Sequence, residues 1–163
     1  MVQDVVRELG YLTLGSRLKR LGESLQAQAE KLLRDCGTPL PASHCPLLLA
    51  LDRLGPLSVG ELSRALGVSQ PVVTRMLGTL ESEGWVRSQP AATDRRIRRL
   101  QLSKAGTQLV SQANRVAWVK LEAAVADACR GLHGPLLSQL AALEEALAAA
   151  PLVARTTPAA ARG

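Results

Sequence analysis

Between Leu57 and Leu102 the hydrophobic period changes in a way that few folds accept. Ser58 followed by Glu61 predicts a capped helix start, in which the hydroxyl takes one orphan N–H and the carboxylate reaches back for another. Gly67 supplies a turn. Ser69 is the next N-cap, and Pro71 falls in the first helical turn, where its missing N–H costs nothing. This second helix runs to about Ser82, and Gly84 ends it. The period then shortens to about two, the spacing of a strand. Residues 85–88 and 97–102 read as two strands, joined by a polar loop, 89–96, too long for a tight turn. A helix, a glycine turn, a capped helix and a basic hairpin together spell a winged helix-turn-helix, a much more specific pattern than a helix pair alone.

The helix that opens at Ser69 has two faces. Val72, Val73, Met76, Leu77 and Leu80 fall within an arc of roughly 140° and form its expected core side. Pro71, Thr74, Arg75 and Gly78 fall opposite, with Gln70 beside them. No bulky apolar residue and no acid interrupts that outward face before Glu81. Such a surface fits a DNA major groove, about 12 Å wide, without steric or charge conflict. An ordinary amphipathic helix with a solvated face would look the same, so the hairpin has to decide. From Arg87 to Lys104 six basic residues stand against Asp94, a net +5, which leaves only +1 for the rest of a chain whose total is +6. A recognition helix reading base edges and a wing placing guanidiniums on phosphates or in the minor groove are complementary tasks.

Both ends of the chain are helical by pattern. Val5, Leu9, Leu12, Leu18, Leu21, Leu25 and Leu32 predict one long helix over 4–34, weakened by Gly10, Gly15 and Gly22. A shorter helix over about 42–54 follows. Beyond the hairpin, Ser103 caps a helix expected over about 104–130, and a last one spans about 136–149. A helix from residue 4 to residue 33 would be about 45 Å long, more apolar surface than a small winged domain can cover. The expected fold is therefore mainly α with a small β-hairpin wing. Residues 42–103 form the winged helix-turn-helix domain. Residues 1–36 and 104–150 supply dimerisation helices from both termini, and 151–163 form a flexible tail. Two-fold symmetry would set two recognition helices about one DNA turn apart on a pseudo-palindrome.

Other function classes find little support. The 163 residues are 47% hydrophobic and 21% charged, as in an ordinary globular protein. No apolar run approaches a membrane span, and the first ten residues carry no secretory pattern, so the expected compartment is the cytoplasm. Aromatics make up 2%, which argues against single-strand binding by base stacking. No phosphate-cradling, nucleophile-elbow, metalloprotease or dinucleotide motif is present, so no enzyme activity and no cofactor are expected. Cys36, Cys45 and Cys129 have neither disulfide-framework nor metal-ligand spacing.

The stretch from Leu57 to Gly106 closely resembles the multiple-antibiotic-resistance regulator (MarR) family. The likeness is carried by SVGELSRALGVSQPVVTRML, by EGWV, by Thr93-Asp94-Arg95-Arg96 and by LQLSKAG, and the flanking helices follow that family's order. The resemblance implies dimeric winged-helix regulators that bind double-stranded DNA. They are usually repressors, often released by small phenolic or lipophilic acids or by thiol oxidation. On its pattern Ser69, Gln70, Pro71, Thr74 and Arg75 match recognition-helix contact positions. Asp94 braces the wing through an arginine, and Arg96 at the tip approaches the minor groove. Arg87, Arg95 and Arg98 complete the expected DNA-binding set. The chain departs from the pattern at Cys45-Pro46, where an aromatic and a basic or polar residue are common.

Two questions stay open at this level. An effector is expected between the first two helices and the start of the long helix after the wing, with Tyr11, His44 and Cys45 as candidate lining residues. Oxidation at Cys36 is the alternative trigger, while free cysteine is among the most buried residue types and Cys45 and Cys129 read as small core residues. A different function class, a helical scaffold using the winged unit for protein contact, would have little need of arginines at 95, 96, 98 and 99.

Overall fold

The computed structural model describes residues 2–90 and 98–155. It divides into two compact units, Met1–Glu122 and Ala123–Gly163. In the first unit, α1 (Val5–Glu8) is followed by a 3-10 turn, Gly10–Thr13, and by α2 (Leu14–Asp35). A second 3-10 turn leads into α3 (Cys45–Leu54), then α4 (Val59–Leu66) and α5 (Gln70–Ser82). Strands β1 (Val86–Pro90) and β2 (Arg98–Leu102) pair antiparallel, Val86 opposite Leu102 and Pro90 opposite Arg98. Helix α6 (Lys104–Arg115) comes next, and α7 (Ala117–Cys129) crosses the boundary between the units. The second unit continues with α8 (Leu136–Ala149) and α9 (Leu152–Arg155). The order and class match the sequence expectation: mainly helical with one antiparallel hairpin, a winged helix-turn-helix.

The long helices are corrected in two places. The first expected helix is interrupted, because Gly10 has φ +56, a left-handed value that cannot continue an α-helix. What remains continuous is α2, whose 22 residues span about 33 Å. The helix after the wing breaks at Val116, whose backbone (φ −133, ψ −62) leaves the helical region. Its N–H bonds the Ala113 carbonyl at 3.3 Å. No proline or glycine marks that break in the sequence.

The core of the first unit is built on the winged segment. Leu47, Leu48, Leu62, Val73, Leu80 and Leu33 are fully buried, and Leu51, Leu77, Val86, Leu100 and Val110 nearly so. Each such side chain contributes about 1.5–3 kcal/mol by leaving water. One face of α5 thus locks against α4 and β1 and fixes where the opposite face points. Val72 departs from the expected core face: it stays 37% exposed. Helix α6 begins hard against the hairpin. Ser103 Oγ accepts from the Gly106 N–H at 3.0 Å and donates to the Gly84 carbonyl at 2.6 Å. A Cβ at Gly106 would lie 2.0 Å from the Trp85 carbonyl oxygen, so only glycine lets the helix come this close.

Candidate nucleic-acid interface

The helix-turn-helix is held by local polar bonds that the sequence pattern anticipates. Ser58 Oγ accepts from the Glu61 N–H at 3.3 Å, and Glu61 Oε2 accepts from the Ser58 N–H at 2.7 Å and from its hydroxyl at 2.8 Å. The Ser58 N–H, then its hydroxyl, with Arg99 and Arg64 adding their charges, hold the Glu61 carboxyl below its ordinary pKa. Gly67 closes α4 in the left-handed conformation, φ +65, and Ser63 Oγ donates to the Val68 carbonyl at 2.6 Å. Ser69 has the extended backbone of an N-cap, but its side chain makes no capping hydrogen bond.

The structure brings Ser69, Gln70, Pro71, Thr74, Arg75 and Gly78 together on one exposed face of α5 and its entry. Thr74 Oγ1 donates to the Gln70 carbonyl one turn back at 2.9 Å, which leaves the methyl as the group free for outside contact. Gly60 on α4 lies close to the ends of the Gln70 and Arg64 side chains, within 4 Å of where its Cβ would be.

The hairpin carries Arg87 and Arg98, both exposed. Arg87 faces Gln101 across the ladder. With its amide oxygen turned to the arginine, Gln101 accepts from Nε and Nη2 at 2.7 Å each. Arg99 has different partners. Its Nη1 donates to the Pro56 carbonyl at 2.7 Å and lies 3.4 Å from Glu61 Oε2. Beside it Leu57 and Leu100 exchange backbone hydrogen bonds of 2.9 and 2.8 Å, so β2 is tied to the segment that enters α4. Asp94, Arg95 and Arg96 lie outside the described residues. Of the four arginines at 95, 96, 98 and 99, Arg99 is thus engaged within the protein and is not free to face DNA. Neither this role of Arg99 nor that of Gln101 is legible in the sequence, since both depend on strand register.

The candidate effector residues separate. A cavity of about 460 Å³ lies between α2, the start of α3 and the helix-turn-helix. Gln26, His44, Val72, Arg75, Met76 and Thr79 are among its lining residues. His44 therefore borders a cavity together with the recognition-helix candidate Arg75. Burial holds the His44 imidazole below its ordinary pKa, against the pull of Glu30. Cys45 points into the core, 8% exposed, and burial pushes its thiol pKa up. Tyr11, at 93% exposure, is not among the lining residues. Cys36 is half-buried against the core. Among the described residues no three His, Cys, Asp or Glu side chains group as a metal site. No described helix is long and apolar enough to cross a membrane.

Comparison with known proteins agrees with this architecture. The sequence model of the MarR family matches residues 38–97. Among solved structures, the transcriptional regulator BldR from Sulfolobus solfataricus is 22% identical, with a TM-score of 0.65 over 90% of this chain and 99% of that one. A cysteine-to-serine mutant of MarR from E. coli, solved with operator DNA, is 22% identical, with a TM-score of 0.64 over 89% and 99% of the two chains. A MepR-like protein complexed with pseudoligands is 20% identical, with a TM-score of 0.64 over 84% and 92%. At these identities the likeness shows a shared fold. Residues 38–97, with their capped helix, glycine turn and exposed second helix, match the MarR family, and the chain shares the winged-helix fold of these regulators.

Proposed function

We propose that this chain is a sequence-specific, double-stranded-DNA-binding transcriptional regulator, a repressor that acts as a homodimer on a pseudo-palindromic operator in the cytoplasm. The observation that carries the reading is the outward face of α5. Gln70, Pro71, Thr74, Arg75 and Gly78 are all exposed, without an acid, in a helix whose other face is fixed in the core. Gln70 can pair bidentately with adenine, the Thr74 methyl can meet a thymine methyl, and Arg75 can reach guanine or phosphate. Arg87 and Arg98 on the hairpin supply backbone attraction, with Asp94, Arg95 and Arg96 assigned to the wing. Residues 1–36 and 104–150 are the proposed dimerisation helices. Leu18, Leu21 and Leu25 support this, since they keep 40%, 51% and 49% of their surface exposed in the single chain. The operator complex of the MarR relative supports the reading by analogy of fold.

Release by a small aromatic or lipophilic acid completes the proposal, and the cavity that His44 shares with Arg75 supports it. An acid seated there competes for the guanidinium that DNA binding needs. By linkage, a ligand that weakens DNA binding tenfold must bind the DNA complex tenfold more weakly, a coupling of about 1.4 kcal/mol. Tyr11 and Cys45, expected beside the ligand, do not line this cavity and are left out of the proposal, and oxidation of Cys36 is the competing trigger. Selection from a random duplex library tests the reader assignment. Wild type is expected to return a two-fold symmetric consensus, and Gln70→Ala to lose preference at one position in each half. An identical consensus from both proteins would remove Gln70 from the readers. Peroxide release abolished by Cys36→Ser would move the trigger to the thiol.

A further inference from the structure

The Arg99–Glu61 pair joins the second wing strand to the first turn of α4 at a point where three residue contacts meet. Arg99 Nη1 donates to the Pro56 carbonyl at 2.7 Å, the same nitrogen lies 3.4 Å from Glu61 Oε2, and Leu100 pairs with Leu57. Glu61 Oε2 is in turn fixed by the Ser58 N–H and hydroxyl at 2.7 and 2.8 Å. The carboxylate is therefore already oriented by its own helix cap and presents a stationary negative charge to the strand. The side chains of Arg99 and Glu61 keep 40% and 33% of their surface. An ion pair so exposed contributes little to stability. What it can do is choose an orientation: Val86 and Leu100 hold the base of the hairpin in the core, and the pair sits where the strands leave that anchor.

From this geometry we infer that Glu61 and Arg99 are positioning residues that set the angle of the wing relative to the recognition helix, and that Arg99 is not a DNA contact. The inference rests on the DNA-binding reading for its functional consequence, though not for its structural one. It makes a prediction opposite to charge counting. Removing a negative charge from a DNA-binding surface ordinarily tightens binding, because phosphate attraction dominates affinity. Here removing the charge of Glu61 misplaces the wing and weakens it. Glu61→Gln is the informative change, since glutamine preserves the capping box and deletes only the charge.

The experiment uses the full chain, with duplex DNA titrated at several salt concentrations. Glu61→Gln and Arg99→Gln are each expected to weaken binding about three- to tenfold with the salt slope unchanged, and the double variant no further than either single one. Arg99→Lys, which keeps the charge and reach, is expected to restore most of the loss. Thermal unfolding of all four should stay near wild type, which separates positioning from folding. In the free protein, amide exchange at Leu57 and Leu100 is expected to accelerate equally in the two glutamine variants. Unchanged or tighter binding by Glu61→Gln, or a salt slope lowered by about one in Arg99→Gln, would overturn the inference and make Arg99 a phosphate ligand. If wild type binds no duplex DNA, the functional reading falls. The exchange rates then decide alone: acceleration upholds the brace, and unchanged rates overturn it.

Discussion

In α3 to α5, Leu47, Leu48, Leu62 and Leu80 are fully buried, whereas in α2 the leucines at 18, 21 and 25 keep 40–51% of their surface. In the second unit Leu137 is 81% exposed and Leu140 36%. All these residues recur at helical spacing, so periodicity alone does not separate them. The difference lies in what each helix has to lie against. The winged segment has a core to close on: three helices and a hairpin enclose it together with the end of α2 and part of α6, and most of its polar groups cap, turn and pair locally. The helices at the ends carry apolar rows that the single chain leaves in water. A pattern in sequence says which side of a helix is apolar, and only the fold says whether anything covers it.

The largest expected effect breaks the winged side of this contrast. Leu62→Ala empties a fully buried site in α4 and should cost about 2–5 kcal/mol, read by denaturant unfolding, independent of protein concentration. Leu21→Ala, in an exposed row, should instead act on assembly. Sedimentation velocity on dilution is expected to show monomer at higher concentrations than for wild type. Equal, concentration-independent losses in both variants would mean that the two regions do not differ as described. A smaller effect comes from Gly106→Ala. Helix propensity favours alanine by about 1 kcal/mol. The Trp85 carbonyl, 2.0 Å from the new Cβ, should outweigh that gain. A net loss of about 1–3 kcal/mol is expected in thermal unfolding.

The hairpin and the helix face divide DNA binding between them. Arg98→Ala should weaken affinity similarly for all sequences and reduce the salt slope by about one, which fluorescence anisotropy can read. The smallest effect is on pH. The folded Glu61 carboxyl titrates below its ordinary value because Ser58 donates to it and Arg99 and Arg64 lie near it. Its contribution to stability is therefore fully present above the unfolded pKa and is lost as pH falls through the folded one. Acid titration of unfolding free energy should show a slightly shallower decline in Glu61→Gln than in wild type.

Much of the winged segment is legible in the sequence, and the reasons are local. Ser58 and Glu61 specify a cap within one turn, Gly67 specifies a turn, and the change of period at Trp85 specifies a hairpin. Each is a short-range rule, and each appears in the structure. Ser69 shows the limit of such rules, since its backbone caps α5 without its hydroxyl doing so. The break at Val116 has no local signal. That His44 borders the cavity and Tyr11 does not is a matter of tertiary packing. The engagement of Arg99 with Glu61 needs the register of β2 against Leu57, which no spacing rule supplies. Val72, assigned to the core by its angle on the helix, instead borders the cavity because α2 and the start of α3 leave space over that side of α5.

The central claim is that the exposed face of α5 and the hairpin bind duplex DNA. Its most direct test is a titration of the purified chain with random duplex DNA from low to moderate salt, wild type beside an Arg75→Ala, Arg98→Ala double variant. Wild type is expected to bind saturably, with an affinity whose logarithm falls linearly with the logarithm of salt, and the double variant to bind more weakly with a slope smaller by about two. Binding that is absent at low salt, or equal in the two proteins at every salt concentration, would contradict it.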